Sequence, residues 1–520
     1  MEKRFRLDQR AAGVLLHPTS LPGPHGSGDL GPSAFAFVDF LAAAGQRWWQ
    51  MLPVVPPGPG DGPYSSTSAM AGSPLLISLE LLARDGLLSQ VDLAPTRGLR
   101  DQHVAYEAVR PYRLDRLRRA HAAFAARSRR QRAAFDAFCE QHRDWLEDYA
   151  LFTALQDKCH GRPWPRWPQP LRTRRPAALD QARRSLADDV DFHRFCQFIF
   201  DRQWSTLHRY AHQRGVGLIG DIPIFVAHQS ADVWAHPKLF QLEPGGRPRV
   251  VSGVPPDMFS RTGQLWGHPH YDWPRHRRSG FTWWLARFRR TFEQFDAVRV
   301  DHFLGFHRLW AVPGRARTAQ HGRWARVPGR ALLETLRKTL GPVQIIAEDL
   351  GVVTKEATAL RDDFGFPGMR LLHFAFGGDG DHYNEPDAYL RQCVVYPGTH
   401  DNDTTVGWFR TLRAEARQRG RRGGATPYRR LLRYLGTTGR EIHWDIIRLA
   451  YMSVANLAVI PAQDLLGLGS AARMNFPGTA EGNWRWRLPP NALTPAIADR
   501  LHELAVAYDR VRTAGAASEK

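Results

Sequence analysis

The chain has 520 residues, 43% of them hydrophobic and 11% aromatic, which is ample for a large buried core and excludes a disordered polyelectrolyte. A formal charge of +20 invites a nucleic-acid reading, but 65 of the 71 basic residues are Arg and only six are Lys. The Arg-rich runs at 127–132 and 417–422 interleave no aromatics, so the charge reads as solvated surface and no nucleic-acid partner is predicted.

In chain order, apolar stretches predict eight β-strands, at 13–17, 48–54, 216–226, 297–303, 343–348, 369–376, 394–399 and 457–462. Helical patterns lie between many of them, at 32–44, 203–214, 331–340 and 354–363, the last opened by Thr354 as an N-cap. Strand and helix alternating in this way predict an α/β fold, a (β/α)8 TIM barrel forming one catalytic domain over 1–520. Two long insertions interrupt it. The first, 55–210 after strand 2, is mostly helical, with amphipathic patterns at 114–126 and 132–155. The second, 227–292 after strand 3, is dense in Pro, Gly, Trp and His and reads as irregular substrate-binding loops. The Pro- and Arg-rich stretch 166–176 is the most linker-like.

Three strand ends carry carboxylates. The segment Phe295-Asp296-Ala297-Val298-Arg299-Val300-Asp301-His302 alternates β-branched and charged residues, so Arg299 and Asp301 share one face. A charge on such a strand is costly unless paired, so Arg299 is expected to keep Asp301 ionised. An isolated Arg-x-Asp reads more simply as a structural pair, but two similar strand ends follow. One is the apolar run 343–347 that ends in Glu348-Asp349, the other is 393–399 followed by His400-Asp401-Asn402-Asp403. In a barrel of parallel strands such ends gather on one rim. Two carboxyl groups flanking one bond, with further charge nearby, are what glycoside cleavage requires. The 17 Trp suggest aromatic faces that could pack on sugars.

The chain resembles the amylomaltases, 4-α-glucanotransferases of the α-amylase clan. The likeness runs nearly end to end, through Gly62-Pro63-Tyr64-Ser65, the stretch 71–75, Gly220-Asp221-Ile222-Pro223, Pro255-Pro256-Asp257 and Gly263-Gln264-Leu265-Trp266-Gly267. It continues through Arg299-Val300-Asp301, Glu348-Asp349-Leu350-Gly351, Gly398-Thr399-His400-Asp401-Asn402-Asp403 and the stretch 473–479. The resemblance implies a retaining double displacement, with Asp301 as nucleophile and Glu348 as general acid and base. It implies that Asp401 binds sugar hydroxyls and steadies the oxocarbenium-like transition state. Retention calls for carboxyl groups about 5–5.5 Å apart. The same roles agree with Asp301 held ionised by Arg299 and with Glu348 raised in pKa by its apolar strand.

Arg299, His400, Asp221, Tyr64, Trp266, Gln264 and Asn475 are expected around the substrate. Tyr64 and Trp266 would stack on the acceptor side, and Asp221 would touch the sugar or Arg299. Phe374 could line the pocket but reads more simply as core. Two departures stand out: Met258, where relatives often carry an aromatic, and His268, where they commonly have Asn.

The nearest rival is an α-1,4-glucan hydrolase using the same carboxylates, since water or a sugar hydroxyl can take the same intermediate. No phosphate-binding glycine loop, nicotinamide fingerprint or metal cluster appears, so no cofactor and no metal are predicted. His268 and His270 have a spacing that could hold an ion but read as loop histidines. Cys139, Cys159, Cys196 and Cys393 show no metal or disulfide spacing. The apolar run 11–16 is too short for a secretory leader, and no run reaches the roughly 18 apolar residues of a membrane helix. The expected setting is cytoplasmic, with maltooligosaccharides and other α-1,4-glucans as partners, glucose as acceptor, no membrane, and a monomer or weak homodimer.

Overall fold

The computed structural model describes residues 5–511 apart from 59, 96–97, 100–101, 257–259, 378–381, 420–425 and 480. Asp257, Met258, Arg421 and Arg422 therefore lie outside the described residues. Eight strands close into a parallel barrel: β1 Ala11–Leu15, β2 Trp48–Gln50, β3 Gly217–Ile222, β4 Ala297–Val300, β5 Ile345–Ala347, β6 Gly368–Leu371, β7 Cys393–Tyr396 and β8 Leu457–Pro461. Each pairs with its sequence neighbours, and β1 closes the ring on β8 through Ala11↔Leu457 to Leu15↔Pro461. All eight are buried throughout, which is why most read as apolar runs, broken by charge only at Asp221, Arg299 and Arg370. Gly13 lets β1 approach β2, because a Cβ there would lie 2.6 Å from the Trp48 carbonyl oxygen.

Most strands are shorter than the apolar runs that predict them. Pro223 cannot donate to a ladder and follows the end of β3 at Ile222. The run 369–376 splits into β6 and a helical turn, Leu372–Ala375, so Phe374 is a half-buried residue beyond the barrel strand. Hydrophobicity alone cannot tell those two states apart. The helix Lys355–Asp363 begins as expected, with the Thr354 hydroxyl accepting from the Ala357 N–H at 3.2 Å.

Helices Tyr106–Ala125, Arg129–Gln141, Arg143–Lys158, Pro176–Ser185 and Ala187–Gln213 dominate the connection between β2 and β3. The pattern at 132–155 is two helices, parted at His142, whose ring packs on Phe138 at 4.6 Å. The stretch 166–176 is no free linker: Trp167 is buried within it, its indole donating to the Arg162 carbonyl.

The connection 227–292 is less irregular than its composition suggests. It holds strands Val250–Val254 and Gln264–Pro269, which join Arg308–Pro313 and Arg323–Arg326 in a four-stranded antiparallel sheet. Half-buried Gln264, Trp266 and His268 alternate there with exposed Leu265 and Gly267, a strand period hidden by the Pro and Gly content. Twelve of the 17 Trp are buried, so the aromatic excess serves mainly the core, as in the cluster of Trp273, Trp283 and Trp284 around Tyr271. Among the described residues, no helix is long and apolar enough to cross a membrane.

Candidate active site

The site is built where strands end. Register pairs Asp221 on β3 directly with Arg299 on β4, so neighbouring parallel strands present both into the barrel. Asp301 follows β4, with its N–H on the Ile222 carbonyl at 2.9 Å. Glu348 follows β5, with its N–H on the Val300 carbonyl at 3.2 Å. Two adjacent strands thus place the two carboxyl groups side by side on one rim.

Arg299 is the hub. Its side chain is 2% exposed, and Nη1 donates to Asp221 Oδ2 at 2.5 Å. Nη2 sits 2.8 Å from Glu348 Oε2 and 3.2 Å from Asp301 Oδ1. Two oxygens this close to one nitrogen cannot lie as far apart as the ~6.5–9.5 Å of inverting glycosidases. Asp301 and Glu348 keep 28% and 18% of their side-chain surface open, so a ligand can reach them. Asp221 has none open, which places it behind the carboxyl pair on Arg299 and Tyr64, and not against a sugar. Its burial pushes it up to about 6 despite Arg299 and the Tyr64 hydroxyl, which donates to it at 2.8 Å.

The protonation of the pair differs from the sequence expectation. Burial and the adjacent Glu348 charge push Asp301 well above the ordinary carboxyl value, although Arg299 opposes them. Burial also pushes Glu348 up, but Arg299 and the His302 N–H outweigh it and hold Glu348 below its ordinary value. That N–H donates to Oε2 at 2.7 Å. The cause is geometric, since Arg299 lies nearer Glu348 than Asp301 and the backbone donor serves Glu348 alone. The two carboxyls act on each other, which adds to the upward push on Asp301 and the downward push on Glu348. His302 can aim its N–H this way because it adopts a left-handed turn, φ 51°.

Asp401 comes from the loop after β7. Asn402 closes that loop, its Oδ1 accepting from the Thr399 N–H at 2.8 Å and hydroxyl at 3.0 Å. Gly398 is needed there, because a Cβ would stand 2.7 Å from the His373 ring. Asn475 Nδ2 donates to Asp401 Oδ1 at 2.6 Å, and His400 Nε2 lies 3.3 Å from the same oxygen. Asn475 and His400 thus hold Asp401. His400 is buried, and burial depresses its pKa. Its ring stacks on Tyr64 at 5.2 Å and 9°, so one Tyr64 face is already covered. Trp266 meets His302 edge-on at 5.0 Å and faces the site from the antiparallel sheet, while Gln264 Oε1 accepts from its indole at 3.4 Å.

Several contributors escaped the sequence reading. Trp484 packs on Tyr64 and His400 at 5.8 and 5.9 Å. Arg473 donates to the Asp401 carbonyl at 2.5 Å and to the Asn475 carbonyl at 2.8 Å. Arg473 sits in a motif that was singled out, whereas Trp484 and the His302 N–H carry no local signal. His268 stacks on Phe225 at 6.3 Å, and burial lowers its pKa and that of His270 to about 4.

The family described as 4-alpha-glucanotransferase matches residues 16–494. A 4-alpha-glucanotransferase of Thermus thermophilus is 47% identical over 513 residues, covering 96% of this chain and 99% of its own. One from Synechocystis sp. is 46% identical over 511 residues, 97% of this chain and 99% of its own. Among solved structures, the amylomaltase from Streptococcus agalactiae in complex with acarbose superposes with a TM-score of 0.92 at 35% identity. The match covers 97% of this chain and all of that one.

Proposed function

Because the chain belongs to the 4-alpha-glucanotransferase family, we propose that it moves an α-1,4-glucan segment from a donor to the 4-hydroxyl of glucose or another α-1,4-glucan, with Asp301 as the nucleophile. One observation carries this reading: Asp301 and Glu348 stand side by side on the single buried guanidinium of Arg299. That arrangement suits retention, in which one carboxylate attacks the anomeric carbon and the other first protonates the leaving oxygen.

In the free enzyme burial and the Glu348 charge bias Asp301 upward while Arg299 and the His302 N–H bias Glu348 downward, so a bound donor must offset that bias to leave the acidic proton on Glu348. A leaving 4-oxygen lodged against Glu348 does this, because it takes over a hydrogen bond there while Arg299 turns its charge to Asp301. Glu348 then protonates the departing oxygen as Asp301 attacks. After the glucosyl–Asp301 ester forms, Glu348 is an anion and removes the proton from the acceptor hydroxyl. Asp401, fixed by Asn475 and His400, accepts from sugar hydroxyls as positive charge grows on the ring. Asp221 and Arg299 act as positioning residues beneath the carboxyls.

Maltotriose tests the reading directly. Longer maltooligosaccharides together with glucose, resolved by chromatography, are the expected products. Maltose and glucose alone would make the protein a hydrolase.

The pair's protonation predicts a bell-shaped pH profile for kcat/KM. Activity needs one proton on the pair. The second proton binds only at the depressed value, so the acid limb lies below the ordinary carboxyl range. The last proton leaves at the raised value, so activity persists well above that range before falling. A profile already collapsing near pH ~5 would mean that the pair holds no proton beyond an ordinary carboxyl.

Transfer over hydrolysis requires that the acceptor, and not water, meet the intermediate. Trp266 stands where it can cover an acceptor sugar. Trp266→Ala is expected to raise the ratio of glucose released by hydrolysis to glucan transferred several-fold. An unchanged ratio would remove Trp266 from acceptor binding.

A further inference from the structure

On the face of the barrel opposite the carboxyl rim, Asp296 immediately precedes β4. The long helix Ala187–Gln213 crosses it there with His208 and His212, four residues apart and so on one helical face. The His208 Nε2 lies 3.2 Å from Asp296 Oδ2, and the His212 Nε2 lies 2.9 Å from Oδ1 and 3.0 Å from Oδ2. The two rings are 4.2 Å apart at 67°, so both imidazoles aim one nitrogen at the same point. One ligand-capable atom from each of the three residues falls within 4.8 Å of the other two. Among the described residues, this is the sole cluster of three such groups, and neither His268 nor His270 is part of one.

We propose that His208, His212 and Asp296 bind one divalent transition-metal ion of the zinc type. Two imidazoles and a carboxylate are a donor set that zinc accepts, with water completing a tetrahedron. The surroundings fit the assignment. The Leu218 N–H donates to Asp296 Oδ2 at 2.9 Å, which orients the carboxylate from behind and leaves Oδ1 toward His212. The side chains of His208, His212 and Asp296 are 20%, 34% and 14% exposed, so an ion can enter from solvent and retain a water.

Bound there, the ion ties the last turns of the helix to the entry of β3 and β4. It is a structural clamp, since Asp301 lies at the other end of β4, roughly 16 Å along the strand. The ion therefore stabilises the fold by mass action and leaves glucan transfer alone.

The full chain, stripped with a chelator and dialysed, would be titrated with Zn2+ by calorimetry and with Co2+ by visible absorption. One equivalent of Zn2+ should bind and raise Tm, Co2+ should give the intense bands of a tetrahedral site, and transfer rates should not change. His208→Gln and His212→Gln should each weaken binding about 100-fold and abolish the Tm response. The Co2+ spectrum of the unaltered chain serves even if a variant fails to fold. Absence of stoichiometric binding, or variants that bind as the unaltered chain does, would overturn the proposal.

Discussion

Asp301→Asn is expected to lower glucan transfer by about 10⁴–10⁶-fold while the protein stays folded. On the roles proposed above the loss is large, because Glu348 serves as the acid and Asp401 is held by Asn475 and His400, leaving no other group to form the ester. Thermal denaturation gives an independent check. Asp301 is held well above its ordinary value, so the native state binds that proton more tightly than the unfolded chain does. Its contribution to stability is therefore greatest at low pH and declines as pH rises from about 4 toward the raised native value. The Asn variant lacks this dependence. Its Tm should match or exceed that of the unaltered protein at pH 7–8, and the gap should close near pH 4.

A glucosyl fluoride, whose leaving group departs without a proton, separates the two carboxyls. It should restore the first half-reaction to Glu348→Gln and let a glucosyl adduct accumulate on Asp301, yet do nothing for Asp301→Asn. Substantial transfer by Asp301→Asn, or an adduct on another residue, would refute the nucleophile assignment.

Arg299→Met should damage both stability and activity. Arg299 is the shared partner of Asp221, Glu348, Asp301 and the Tyr64 hydroxyl, and it is almost wholly enclosed. Removing one side of a buried charge network costs about 3–5 kcal/mol, since the remaining charges stay buried without compensation. The deficit depends on pH. Asp221, already pushed up to about 6, takes a proton readily once Arg299 is gone, so the Tm loss should be smaller at pH 5 than at pH 8. Transfer should fall by about 10³-fold or more, because the Glu348 and Asp301 carboxyls lose the charge that sets their protonation. A variant with unaltered Tm at pH 8 would show that Arg299 is not the electrostatic centre of the site.

The sequence by itself determined the barrel and its three carboxylates. A parallel strand buried on both faces must be an apolar run, and charge tolerated at its end must be paired, so both features are local and show in residue order. Asp301, Glu348 and Asp401 are conspicuous for that reason, as are their neighbours Arg299 and His400.

Tertiary structure decided what depends on distance between chain segments. Arg299 was expected to lower Asp301, yet its guanidinium lies nearer Glu348, and a backbone N–H from His302 adds to that bias. A few tenths of an ångström thus push Glu348 down and leave Asp301 raised, and no spacing rule encodes so small a difference. Tyr64 is expected as a sugar platform, and folding adds two contacts that residue order does not show: one face stacks on His400 and the hydroxyl anchors Asp221. The sheet that carries Trp266 escaped notice because its partner strands come from two different connections, and antiparallel pairing across them leaves only a weak alternation in each. The cluster of His208, His212 and Asp296 is likewise a product of folding: 84 residues separate His212 from Asp296, and only the packing of a helix against the barrel floor joins them.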